Sequence, residues 1–174
     1  MMQKSEGKIF FRIIVYIFEI MIFYALEQAL RLDTHLVAEI SILVPAFVSI
    51  ALFEREFVGM AFGIFAGMLV DYTLGTGIGL CALLFGVFGY IIGVVSNYFF
   101  RANVVAQVVV SSIVFLCFES IKIFFINRNF EMFLQVWQCV FLKNVLLSLP
   151  VFVLVFYFNR AVSYRFFTKG EALN

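Results

Sequence analysis

The chain has 174 residues, of which 64% are hydrophobic and only 13% charged, with a mean hydropathy of +1.09. Those values exclude an ordinary soluble globular domain and predict an integral membrane protein. The formal net charge of +1 carries little information, so the placement of the charges matters more than their sum.

Six apolar runs can be read along the chain, at about 10–30, 36–53, 57–74, 78–100, 103–126 and 136–158. The short connections between them predict an all-α bundle of sequential antiparallel neighbours, a single integral membrane domain over 1–174 with no room for a separate soluble one. A membrane β-barrel would need segments of about ten alternating residues, and runs such as Ile78 to Phe88 do not alternate.

In the first run, Arg12, Glu19 and Glu27 interrupt the apolar stretch and no small-residue cleavage site follows, which predicts a retained span rather than a signal peptide. Arg12 and Glu19 are seven apart on one helical stripe, and Glu27 and Arg31 form a favourable i,i+4 pair. Glu19 falls near mid-membrane without a local partner. Its carboxyl must therefore be protonated, face the bundle or meet another chain. His35, in a short loop after this run, reads as a solvated surface residue.

The third run carries glycines at 59, 63 and 67 and then Asp71, all four apart. At that spacing the glycines form a smooth helical stripe that another helix can approach closely. In lipid, where burial from water does not drive helices together, small-residue stripes permit the close packing that does. Two occupants are open: the fourth run, which offers Gly86, Gly89 and Gly93, or a partner's transmembrane helix. Only 14 apolar residues, Phe57 to Val70, precede Asp71, so this span either continues through Asp71 and Tyr72 or enters the bilayer partway. The following Gly75, Gly77 and Gly79 predict a turn near the outer surface, with Asp71 able to accept backbone N–H bonds or cap the next helix. A partner contact, or an ion or proton site, at Asp71 are the other readings.

In the fifth run, Glu119 precedes Lys122 by three, and Lys143 of the sixth run falls at a similar depth. The expectation is that Glu119 is neutralised by Lys122, Lys143 or both. With the N-terminus in the cytoplasm, eight Lys or Arg fall on the inner side (4, 8, 12, 55, 101, 160, 165, 169) and two (31, 128) on the outer side. That excess predicts both termini inside and an even number of spans.

Cys81, Cys117 and Cys139 all lie in apolar runs without metal-ligand spacing and read as small buried hydrophobes. No nucleophile–base constellation, HExxH or paired-carboxylate motif is present. The GTGIG string lacks the strand and lysine of a phosphate loop. The expectation is a protein without enzymatic activity, cofactor, metal or nucleic-acid partner.

Pro45 in the second span, the string Gly67-x3-Asp71-x3-Gly75-x3-Gly79-Leu80, a glycine-bearing fourth span, and Pro150 after Asn144 in the last span together resemble the MreD family of bacterial rod-shape-determining membrane proteins. The resemblance is best from Gly59 to Arg101 and reasonable through Phe125. It implies a non-enzymatic subunit of the cell-wall elongation machinery in the cytoplasmic membrane. The partners it implies are MreC, MreB, RodA and a class B penicillin-binding protein. Gly67, Asp71, Gly75 and Gly79 carry over as a structural or partner-contact motif, and Gly59 and Gly63 extend the ladder. The architecture is also similar to the substrate-binding S components of energy-coupling-factor vitamin transporters, which supplies an alternative. Ala25-x3-Ala29 echoes their docking pattern, but no cluster of polar outer-loop residues suggests a vitamin site.

Overall fold

An apolar segment whose every face is hydrophobic has no preferred outside and belongs at the centre of a bundle. The eleven residues Leu43–Phe53 behave this way in the computed structural model, where Leu43 through Leu52 are all buried. The structure describes residues 3–33, 42–75, 79–98, 103–126 and 148–162, with side chains over 11–30, 42–75, 79–97, 103–120 and 148–162. The described residues form helices and contain no strand. In chain order these are α1 (Gln3–Asp33), α2 (Leu43–Phe53), α3 (Glu56–Leu74), α4 (Leu80–Tyr98), α5 (Val104–Ile126) and α6 (Ser148–Val162).

The central α2 touches α1, α3, α4 and α5. Its Pro45 sits in the first helical turn, where an N–H has no intrahelical acceptor to lose. Aromatic rings then fill the space around it. Phe47 stacks on Phe85 with centroids 4.7 Å apart, Phe85 meets Phe118 edge-on at 5.3 Å, and Tyr16 meets Phe62 at 5.7 Å. The sixth helix seats Val155 against Ile42 and Ala46 and sets Phe156 and Phe158 beside Phe53 and Phe23. Large apolar side chains also cover the outside, among them Phe18, Leu83, Val105 and Leu154. In water such a surface would aggregate; in lipid it is the expected exterior.

Among the residues whose side chains are described, three helices are long and apolar enough to cross a membrane: Phe11–Leu30, Glu56–Leu74 and Leu80–Asn97. Leu43–Phe53 and Ser148–Val162 are apolar over shorter described lengths, and α5, 23 residues in all, has its side chains described over the apolar stretch Val104–Ser120. The third helix continues through Asp71 and Tyr72 to Leu74, so the carboxylate does not end it. It ends where Gly75 takes a left-handed conformation with φ of 64°, which glycine adopts without a Cβ clash. Residues 34–41 and 136–147 lie outside the described residues.

Candidate functional site: a glycine-joined helix pair and its buried carboxylates

The glycine stripe of α3 is filled by α4. The buried face of α3 comprises Gly59, Phe62, Gly63, Ala66, Gly67, Val70 and Asp71, a helical stripe along its length. A Cβ on Gly59 would lie 2.7 Å from the Gly89 carbonyl oxygen. On Gly63 it would overlap the Phe85 carbonyl oxygen, and on Gly67 the Cα of Ala82. From the other side, a Cβ on Gly89 would strike the Gly59 carbonyl and one on Gly93 would come within 2.5 Å of the Glu56 Cα. The obstacles are backbone atoms, which no rotamer change can move. The two helices thus pack main chain against main chain over several turns, the arrangement that small residues permit in a membrane.

Asp71 serves the same pair. Its Oδ1 accepts a hydrogen bond from the Cys81 N–H at 3.2 Å and its Oδ2 one from Ala82 at 2.9 Å. Both donors belong to the first turn of α4, whose N–H groups have no intrahelical acceptor and whose end carries partial positive charge. Gly79, just before α4, takes a left-handed conformation with φ of 72°.

The same device recurs one hairpin earlier. Glu27 of α1 is buried, and its Oε2 accepts from the N–H groups of Ile42 at 2.9 Å and Leu43 at 3.0 Å, at the start of α2. Between these two caps, the Thr73 hydroxyl donates to the Leu69 carbonyl and accepts from Tyr24 and Gln28, which ties α1 to α3. A cavity of about 10 Å³ lined by Tyr24, Glu27, Gln28, Thr73 and Phe118 has room for one water, not a vitamin.

At the opposite end of α1, Arg12 pairs with Glu54 in the α2–α3 turn, Nη2 to Oε2 at 2.9 Å. The Tyr16 hydroxyl donates to the other oxygen of Glu54 at 3.0 Å. Burial pushes the Glu54 carboxyl above its ordinary range, and the Arg12 guanidinium and the Tyr16 hydroxyl oppose that rise. Glu19, on the same stripe of α1, does not pair with Arg12; it faces α6, where Asn159 Nδ2 donates to its Oε1 at 2.5 Å.

Sequence reasoning named Glu19 and Asp71 but missed Glu54, Tyr16, Thr73 and Asn159. Glu54 had a signal, an acid at a tight turn on the side of the bundle where Arg12 lies. Asn159 had none, since it is 140 residues from its partner. Glu119 is buried on α5, while the side chain of Lys122 and the whole of Lys143 lie outside the described residues, as do the side chain of Arg31 and the whole of His35 and Cys139. Cys81 is buried and Cys117 partly so. Ala25 and Ala29 are both exposed on α1. Among the described residues no group of three or more His, Cys, Asp or Glu could hold a metal ion.

The family model described as rod shape-determining protein MreD matches residues 8–162, nearly the whole chain. No curated protein and no solved structure matches. The match embraces the glycine-joined pair, both carboxylate caps and the Glu19–Asn159 contact, and the chain belongs to the MreD family of rod-shape-determining membrane proteins.

Proposed function

We propose that this protein is a non-enzymatic scaffold of the bacterial cell-wall elongation machinery, crossing the cytoplasmic membrane six times with both termini in the cytoplasm. The observation that carries this reading is the family match over residues 8–162. Its partners in this reading are MreC, MreB, RodA and a class B penicillin-binding protein. Because α4 occupies the glycine stripe, the docking surface is assigned to the outward side of the α3–α4 pair, where Phe57, Met68, Tyr72 and Leu83 are well exposed. A rigid pair suits such a role, since a partner then meets a preformed surface and loses less conformational freedom on binding. In this reading Gly63 and Gly67 act through that rigidity.

Depletion tests the cellular role. A rod-shaped host should round or swell as the protein is lost, and cells that keep their width and length would overturn the reading. Docking is tested by copurification of MreC from mild detergent extracts. Replacing Met68, Tyr72 and Leu83 together with alanine should reduce recovered MreC while leaving the protein monodisperse; undiminished recovery would remove this face from the proposal.

A further inference from the structure

The contact between Glu19 and Asn159 leaves two buried atoms without partners, and they belong to the two groups that the contact joins. Glu19 is 4% exposed and Asn159 fully buried. One hydrogen bond runs between them, from Asn159 Nδ2 to Glu19 Oε1. Glu19 Oε2 and Asn159 Oδ1 remain, both buried and both unsatisfied.

With Glu19 ionised, both remaining atoms are pure acceptors, and neither can satisfy the other. Leaving two such atoms buried is costly, and a full charge among apolar helices more so. No ion pair to Glu19 relieves it among the described residues. Arg12 is engaged with Glu54, α2 contributes no titratable side chain between Leu43 and Phe53, and Arg160, next to Asn159 on α6, is exposed. A proton on Oε2 turns that oxygen from a second acceptor into a donor, and the carboxamide already bonded to this carboxyl carries a spare acceptor. A carboxylic acid and a primary amide can exchange two hydrogen bonds in a closed ring, N–H to C=O and O–H to C=O.

We propose that Glu19 is a resident proton site, held as the neutral carboxylic acid and paired reciprocally with the Asn159 carboxamide so that the proton itself fastens α6 to α1. The pair is a side-chain equivalent of the two-bond caps made by Glu27 and Asp71, with one difference. Those carboxylates accept from backbone N–H groups, whereas Glu19 both accepts and donates.

Infrared spectroscopy of the full-length protein in lipid at neutral pH tests this directly, since a neutral acid's carbonyl stretch lies apart from the carboxylate bands. Subtracting the Glu19→Gln spectrum from the wild type should show an acid carbonyl band and no carboxylate bands. Loss of carboxylate bands instead would overturn the proposal. Glutamine can exchange the same two bonds with Asn159, so the unfolding midpoint of this variant should stay at the wild-type value, and a marked shift in either direction would count against the pair. Should Glu19→Gln not fold, Asn159→Leu provides a second reading. The acid band should then move to the higher frequency of an unbonded carbonyl, and an unmoved band would sink the reciprocal pairing.

Discussion

Two seams in this bundle are joined by opposite means. Between α3 and α4 the glycines bring main chain against main chain, and the joint is a matter of shape. Between α1 and its neighbours the joints are polar: Arg12 and Tyr16 on Glu54, Tyr24 and Gln28 on Thr73, Glu19 on Asn159. Where backbone meets backbone, shape tolerates no added atom. Polar joints tolerate changes of size but fail when one partner is removed, because the other is left buried and unsatisfied. The contrast teaches which kind of substitution each seam should resist.

The largest effect belongs to the shape-joined seam. Leucine at both Gly63 and Gly67 collides with the backbone of α4 and should cost more than about 3 kcal/mol, seen as loss of the monodisperse folded peak in detergent. A double variant that elutes and melts like the wild type would break the comparison outright. Next comes Arg12→Ala, which strands the buried Glu54 carboxyl. Arg12 is itself 20% exposed, so the loss should be about 2 kcal/mol, below the range for fully buried pairs. The sign with pH follows from burial. Without the guanidinium, folded Glu54 binds its proton more tightly than the unfolded chain does, so the variant is most stable in acid and loses ground as pH rises. A deficit that shrinks with rising pH would contradict that account.

Removing a cap should come third. Asp71→Ala frees the Cys81 and Ala82 N–H groups and should lower stability by about 1 to 2 kcal/mol, while Asp71→Asn keeps one acceptor and should lose less. Equal losses for both would mean that the charge at the helix end matters more than the bonds. The smallest effect is at Gly86, where an added Cβ meets only the Ile64 side chain. Gly86→Ala should lower the melting midpoint only modestly, because the obstacle is a side chain at the half-exposed Ile64 and not backbone. Gly89→Ala, facing the Gly59 carbonyl, should cost clearly more, and thermal melts of the two side by side sharpen the distinction between side-chain and backbone obstacles.

The same contrast explains what could be read in advance. Gly59, Gly63 and Gly67 repeat at the helical period within one element, so the linear sequence displays their common face; their occupant could not be read, because α4 and a foreign helix present the same small-residue requirement. Asp71 was legible as an acceptor beside a glycine turn because its first donor lies only ten residues later. The polar joints of α1 escaped because a single Glu or Asn has no periodicity, and its partner is fixed only by how the helices are arranged in three dimensions. The apparent stripe of Arg12 and Glu19 illustrates the hazard, since both point into the bundle and each meets a different element. The third helix outlasted its own apolar run for a related reason: Asp71 is an acceptor already supplied with donors, so it can be buried where an unpartnered carboxylate could not.

The two carboxylate caps also have a direction in time. Glu27 precedes its first N–H donor by 15 residues and Asp71 by 10, and in each case the acceptor lies on the earlier helix. A chain made from its N-terminus therefore presents the acceptor before the donors that need it. When α2 or α4 emerges, its first-turn N–H groups meet a waiting oxygen instead of bare hydrocarbon, where each unsatisfied group costs several kcal/mol. Each odd-numbered helix in these two hairpins is in this sense a landing place for the one that follows, and the order of synthesis and the order of burial coincide.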